Sequence, residues 1–209
     1  MKRLILVALM AAALAVTPKA AEAAIVIDFG TGLAPAGGTY TLLAGGNASG
    51  TDIPVGSLVY DFNGATSVYQ TSGTGLDPFF GDGHARLSFN TATNFIQVVG
   101  GVPQLGIASN TVLLSGTFTS WVADGQGLHN AVGIDAKNVN LLLALGLPTD
   151  TKFAFFGFSL TSSSLGNDQW TIVSTDIRNT AVPEPGSMVL LGTGLLGCAA
   201  LARRRMKKA

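Results

Sequence analysis

Residues 85–99 read ARLSFNTATNFIQVV, and this stretch decides the fold class of the chain. In its first part, Leu87 and Phe89 alternate with polar side chains, as they do in a strand that buries one face. Residues 90–94 are, apart from one alanine, short polar side chains of the kind that form turns. Apolar side chains then return, so the stretch predicts a β-hairpin of two antiparallel strands.

Other short apolar or alternating segments lie on both sides of the hairpin, and glycine-rich turns separate them. The segment 151–160 is dense in phenylalanine, which indicates a central strand buried on both faces. The segment 111–122 does not keep one period, which favours a strand with a bulge near Gly116. Residues 45–50 are rich in glycine and are expected to form a loop. The remaining predicted strands are 25–29, 39–43, 57–62, 67–71 and 169–178.

One segment, residues 136–145, favours a helix. Asp135 precedes it in the position of an N-cap, and Gly146 follows it with a proline just beyond. The apolar residues expected to form its buried stripe are Val139, Leu142, Leu143 and Leu145.

About eight to ten short strands with one short helix predict an all-β fold. The arrangement expected is a single antiparallel β-sandwich, of which a jelly roll is one form. We see no fixed repeat in the sequence, which disfavours a β-solenoid. The predicted domain covers residues 24–181, between an N-terminal segment at 1–23 and a C-terminal segment at 182–209.

Charge is unevenly distributed along the 209 residues, although the formal net charge is zero. Residues 24–181 contain ten aspartates, no glutamate and four basic residues, which gives a formal charge of −6. A nucleic-acid partner is therefore not expected, because such a partner requires a basic surface. The single cysteine, Cys198, lies outside that segment, so no disulfide can stabilise the domain.

The N-terminus has the layout of a secretory signal peptide. Two basic residues precede an apolar segment at 4–16, which is too short to span a membrane. Ala21 and Ala23 form a small-x-small cleavage site, so residues 1–23 are predicted to be removed. A short N-terminal anchor is the alternative interpretation. The signal peptide predicts that the domain folds outside the cytoplasm.

The C-terminal segment has three parts in a fixed order. The motif Pro183, Glu184 and Pro185 comes first, and its prolines exclude it from helix interiors and central strands. Residues 186–202 carry no charge. As a transmembrane helix they would span about 25 Å, at about 1.5 Å per residue. The basic tail at 203–208 is expected to hold its end in the cytoplasm through Arg203, Arg204, Arg205, Lys207 and Lys208.

This ordered triplet resembles the PEP-CTERM sorting signal, whose name-giving motif matches Pro183, Glu184 and Pro185. The resemblance implies that the processing partner is an exosortase, a membrane-embedded cysteine transpeptidase or protease. It also implies transient anchoring in the inner membrane, followed by a place at the cell surface or outside the cell. Association with exopolysaccharide, biofilm or floc is a further implication. An ordinary C-terminal anchor with a proline-rich linker is the alternative interpretation.

The domain offers little that points to catalysis. His84 and His129 lie beside glycine-rich loops without metal-ligand spacing, and no Gly-x-Ser-x-Gly motif occurs. Asp77 and Asp82 flank a turn and are a candidate calcium site, but their spacing does not match an EF-hand loop. Turn-forming aspartates are the simpler interpretation. We therefore expect no catalytic residue, no metal and no cofactor.

Three functions are left open by the sequence. The first is an exported, non-enzymatic surface or matrix protein that associates with exopolysaccharide. The second is a lectin-like module in which Trp121 and Trp170 stack on sugars, although both lie in apolar strands and are expected in the core. The third is a secreted hydrolase that uses Asp77, Asp82 and His84. The first is favoured, because the C-terminal signal supports it.

Overall fold

The structure of the chain is a computed structural model that describes residues 25–32, 34, 37–73, 83–124, 127–182, 193, 194 and 197. Its described residues between 25 and 182 contain eleven strands, two short 3-10 turns and one short α-helix. Every strand pair is antiparallel. The prediction of an all-β, antiparallel fold with one short helix is confirmed.

The elements have the following bounds. The strands are β1 (Val26–Gly30), β2 (Thr39–Leu43), β3 (Asn47–Val55), β4 (Ser57–Phe62), β5 (Ala65–Gln70), β6 (Ala85–Asn90), β7 (Phe95–Val102), β8 (Ile107–Asp124), β9 (Gly127–Lys137), β10 (Phe153–Gly166) and β11 (Gln169–Ala181). The 3-10 turns are Ala44–Gly46 and Pro103–Leu105, and the helix is α1 (Val139–Ala144).

The strands form one sheet that closes on itself. Its order is β10-β9-β8-β7-β6-β3-β2-β11-β1-β4-β5, and β10 also pairs with β11. β10 is therefore hydrogen-bonded along both edges, as the prediction of a central strand at 151–160 requires. β11 pairs with β10 along one edge, and its other edge is divided between β2 near Trp170 and β1 near Ile177. The pairing between β10 and β11 is therefore the one that closes the sheet.

The hairpin predicted from residues 85–99 is confirmed, since β6 pairs with β7. The Asn90 side chain accepts hydrogen bonds from the backbone N–H groups of Ala92 and Thr93. Asn94 adopts a left-handed backbone with φ of 56°. These are conformations that asparagine tolerates better than most residues, so local chemistry sets this turn.

Aromatic side chains fill the space between β6, β8 and β10. The ring centroid of Phe158 lies 5.4 Å from that of Phe89 and 5.7 Å from that of Phe118, and all three side chains are buried. Such pairs contribute about 0.5–1.5 kcal/mol each beyond the burial of their area. The curved sheet therefore packs its inner face against itself, as the two layers of a sandwich do.

The prediction of a loop at residues 45–50 is wrong. The 3-10 turn is short, and β3 begins at Asn47 and pairs with β2 and β6. Gly50 is required within this strand, because a Cβ there would overlap the ring of Phe89. A glycine-rich segment usually indicates a loop, but here it lets the backbone approach a buried aromatic side chain.

β8 does contain bulges, but none lies at Gly116. The pairing register with β7 shifts at Leu113, and the register with β9 shifts at Thr119. Leu113 and Leu114 are both buried, because a bulge turns two consecutive side chains toward the same face. Gly116 remains paired, and a Cβ there would lie 2.6 Å from the carbonyl oxygen of Ile134.

The helix begins later than predicted, and Asp135 is not its N-cap. β9 continues through Lys137, so Asp135 is a strand residue. The cap is Asn138, whose side-chain oxygen accepts from the backbone N–H of Asn140 at 2.9 Å and from that of Leu141. The local sequence supports both choices, and the pairing of β9 with β8 and β10 decides between them.

The later start of α1 also changes which residues it buries. Leu142 and Leu145 are buried as predicted, but Val139 and Leu143 are exposed. Leu141 takes their place in the core. The predicted apolar stripe is therefore right at two of its four positions.

Replacing Asn138 with alanine removes the oxygen that binds two backbone N–H groups at the start of α1. We expect the free energy of unfolding to fall by about 1 kcal/mol, measured by urea denaturation. The matched control is Asn140→Ala, because the Asn140 side chain is exposed and alanine favours a helix. Equal losses in the two variants would contradict the capping role.

Candidate functional site

The last strand of the domain leads directly into the predicted sorting motif. β11 ends at Ala181, whose N–H donates to the carbonyl oxygen of Ile25 at 3.0 Å. The N–H of Val182 donates to the carbonyl oxygen of Lys152 at 2.8 Å. Pro183 is the next residue. The domain is therefore hydrogen-bonded to within one residue of the motif.

The two ends of the domain lie side by side. β1 runs antiparallel to β11, and Val26 is paired with Thr180. The chain therefore enters and leaves the domain at the same end of this strand pair. A membrane anchor at either terminus would hold that same end of the domain toward the bilayer.

Most of the predicted site residues lie outside the described residues. They are Ala21, Ala23, Asp77, Asp82, Pro183, Glu184, Pro185, Arg203, Arg204, Arg205, Lys207 and Lys208. Within the predicted transmembrane helix at 186–202, the described residues 193, 194 and 197 are helical. Across the described part of the chain, no helix has the length and apolar character needed to cross a membrane. The cleavage site and the basic anchor stay predictions.

The structure gives the backbone positions of both histidines. His84 lies just before β6, where its backbone packs against Gly73, and His129 lies in β9. In the ranges that the structure describes, no three His, Cys, Asp or Glu side chains are placed to bind a metal. The hydrolase hypothesis also requires Asp77 and Asp82, which lie outside those ranges.

Trp121 and Trp170 pack against the aromatic core and are half-buried. The ring of Trp170 stacks on that of Tyr40, with centroids 6.0 Å apart and an angle of 5°. Trp121 meets Phe118 edge to face at 6.5 Å, and its Nε1 donates to the carbonyl oxygen of Gly46 at 3.2 Å. Each tryptophan therefore has a structural role, and each shows only part of its surface to solvent.

A buried polar cluster joins β9 and β11, the two strands that flank β10. The Nζ of Lys137 donates to Asp135 Oδ1 at 2.6 Å and to Asn179 Oδ1 at 2.9 Å. Neither the Lys137 nor the Asp135 side chain has surface exposed to solvent. The ammonium also lies 4.7 Å from the ring centroid of Phe153 and 5.8 Å from that of Phe29. These contacts replace water around charges that are costly to bury.

Burial favours the neutral forms of both ionisable groups. Desolvation raises the pKa of Asp135 and lowers the pKa of Lys137 to about 8, and the attraction between the two charges opposes both shifts. The Oδ2 atom of Asp135 is buried and has no hydrogen-bond partner among the residues that the structure describes. The Nδ2 of Asn179 donates to the carbonyl oxygen of Ile177 at 2.8 Å. The cluster thus brings an amine, a carboxyl and a carboxamide into contact away from water.

The sequence analysis does not predict this cluster, because a helix at 136–145 makes Asp135 a helix cap and Lys137 a helical residue. One feature of the sequence does indicate a strand here, since Asp135 and Lys137 alternate with Ile134 and Ala136 at the period of a strand. No local signal places Asn179 beside them. That contact depends on the pairing of β10 with both β9 and β11.

A second unusual ionisable group lies on the strands that carry the two chain ends. Asp28 on β1 is paired with Arg178 on β11, and Asp176 is two residues from Arg178. Burial is the main cause that raises the pKa of Asp28 to about 7, and a hydrogen bond to Asp176 and its charge add to the effect. The positive charge of Arg178 opposes it. The Asp28 carboxyl group therefore retains its proton at a higher pH than an ordinary aspartate does.

Comparison with known proteins identifies the C-terminal segment. A family model for the PEP-CTERM protein-sorting motif matches residues 181–205. The chain therefore carries a sorting signal that directs export, transient membrane anchoring and processing by an exosortase. A search found no significant match among curated proteins or solved structures. The match begins at Ala181, the last residue of β11, so the signal joins the domain without a spacer.

Replacing Asp28 with asparagine is expected to stabilise the domain above neutral pH. The pKa rises from 3.8 to about 7 on folding, so wild-type stability is lost as pH increases through this range. The carboxamide that replaces the carboxyl group cannot ionise. The gain at pH 8 should be on the order of 1 kcal/mol, because solvent screens a half-exposed group. Denaturation at pH 4 and pH 8 measures it.

The matched control for this prediction is Asp150→Asn, which removes the same charge from an exposed turn residue. The difference in the free energy of unfolding between this control and the wild type should not increase from pH 4 to pH 8 as it does for Asp28→Asn. A stabilisation by Asp28→Asn that is equally large at both pH values would contradict the assignment of the raised pKa.

Proposed function

We propose that this protein is an exported, non-enzymatic component of the cell surface or extracellular matrix that associates with exopolysaccharide. The observation that carries the proposal is the sorting motif at 181–205, which directly follows a folded β domain. An exosortase acts on the signal, and the domain is what remains outside the membrane afterwards. The domain is therefore the part that interacts with the surroundings of the cell.

The position of the chain ends supports a defined orientation during processing. Ile25 and Ala181 are joined by a backbone hydrogen bond. A domain anchored through residues 186–202 therefore holds the start of β1 and the end of β11 toward the membrane. The two prolines of the motif resist continuation of β11. Among the described residues, the backbone hydrogen bonds of the domain continue as far as Val182, directly before the motif on which a membrane enzyme would act.

The charge of the domain supports association with polymer through cations. Residues 24–181 have a formal charge of −6, whereas the basic residues of the tail lie on the far side of the transmembrane segment. Once the tail is removed, no basic cluster balances the acidic domain. Divalent cations can then bridge its carboxylates to those of an acidic polysaccharide.

Substitution of the sorting motif should block processing. With Pro183, Glu184 and Pro185 all replaced by alanine, we expect a longer, membrane-bound species in a host that has its exosortase. Immunoblots of membrane and extracellular fractions measure this. Asp150→Asn, in an exposed turn of the domain, is the control and should be processed normally. A trimmed extracellular form of the triple variant would contradict motif-dependent sorting.

Association with polymer is tested on the processed protein. We expect it to sediment with exopolysaccharide from its host when Ca²⁺ is present and to be released by a chelator. A neutral polysaccharide of similar size is the control polymer. Absence of sedimentation with Ca²⁺, or equal sedimentation with the neutral polymer, would contradict cation-bridged association.

A further inference from the structure

Lys137, Asp135 and Asn179 have a geometry that an ordinary ion pair does not require. The amine contacts a carboxyl oxygen at 2.6 Å and a carboxamide oxygen at 2.9 Å, and the two charged side chains have no exposed surface. The amine also lies within 6 Å of the ring centroids of Phe29, at 5.8 Å, and Phe153, at 4.7 Å. Burying a charged pair costs several kcal/mol of desolvation per ion, so a hydrophobic pair would stabilise this site at least as well.

We propose that Lys137 and Asn179 become joined by an intramolecular isopeptide bond, with Asp135 as the group that carries the proton. The lysine Nζ forms a bond to Cγ of the asparagine side chain, and the bond from Cγ to Nδ2 breaks. The products are a secondary amide and one molecule of ammonia. No oxidant, reductant, nucleotide or other co-reactant is consumed, so the folded domain itself supplies every reacting group.

The surroundings prepare the lysine as a nucleophile. An ammonium ion has no free electron pair, so Lys137 must first lose a proton. Asp135 is the neighbour that can accept it, through the oxygen 2.6 Å away. Desolvation lowers the pKa of Lys137 and raises that of Asp135. Both shifts make it easier to transfer the proton from the amine to the carboxylate.

The same proton then activates the asparagine. Protonated Asp135 can donate to the carboxamide oxygen, which increases the positive character of Cγ as the amine attacks. The tetrahedral intermediate collapses when Nδ2 receives a proton and leaves as ammonia. The hydrogen bond from Nδ2 to the carbonyl oxygen of Ile177 turns the oxygen of Asn179, rather than its nitrogen, toward the amine. Within the described part of the chain, the Oδ2 of Asp135 has no competing hydrogen-bond partner.

The position of the bond indicates its role. It would link β9 to β11 across β10 and close a loop between residues 42 apart in the sequence. Asn179 precedes the sorting motif by only four residues. A force applied to the C-terminal end of the domain would therefore act on this bond through only those few residues. It would restrain the domain covalently in a segment that contains no cysteine.

The bond is tested by mass spectrometry of the full-length chain after denaturation and trypsin digestion. Trypsin should cut after Lys152 and Arg178 but not after Lys137. We expect a branched peptide in which 87–152 is joined to the peptide that begins at Asn179, lighter by one ammonia than the sum of the two. Separate unmodified peptides, including cleavage after Lys137, from folded wild-type protein would overturn the proposal.

Two variants distinguish the bond from an ion pair. In Asn179→Asp the same attack releases water, so the cross-linked variant and the cross-linked wild type should have identical intact masses. Without the bond, their masses would differ by the exchange of NH₂ for OH. Asp135→Asn keeps the lysine, the asparagine and the side-chain volume but removes the proton carrier, and it should show no branched peptide. A branched peptide of undiminished yield in Asp135→Asn would overturn the role of Asp135.

The experiment also separates this proposal from the proposed function. The branched peptide forms within the folded domain, so its presence does not depend on an exosortase or on a polysaccharide. A chain with an altered sorting motif should therefore contain the bond in the same yield as the wild type. Loss of the bond in that unprocessed but folded chain would contradict a reaction that needs only the domain.

Discussion

Backbone hydrogen bonding along both edges of β11 is the constraint on which the rest of the structure depends. One edge pairs with β10, and the other pairs first with β2 and then with β1. Buried backbone N–H and C=O groups must be hydrogen-bonded. If β11 detached, such groups on the neighbouring strands would lose their partners. The pairing closes the sheet, brings the chain ends together and holds the domain in place up to the sorting signal.

The buried cluster is a second consequence of this closure. Asp135 and Lys137 lie on β9 and Asn179 lies on β11, and the three meet because β10 pairs with both strands. As a stabilising device the ion pair is inefficient, since desolvation offsets the attraction between the charges. The same desolvation favours a neutral amine beside a neutral acid, so the property that makes the pair costly also makes it suited to chemistry.

The domain and the tail divide the work of the protein between them. The tail carries the signal for sorting, and the match to residues 181–205 accounts for export, transient anchoring and processing. The domain is acidic and is joined to the signal without a spacer. Whatever force reaches the C-terminal end is therefore transmitted straight into β11. A sheet that closes on that strand distributes the force over three neighbouring strands.

Local sequence is enough to predict the sorting signal, the strand-rich character, the 85–99 hairpin and the acidic charge, because each depends on composition or spacing. It placed β3 and the start of α1 wrongly, since glycine at Gly50 and aspartate at Asp135 have local preferences that strand pairing overrides. The pairing of β10 with β11 and the contact between Lys137 and Asn179 arise only when the chain folds. Contacts between residues 42 apart arise from closure of the sheet, and no local pattern encodes that closure.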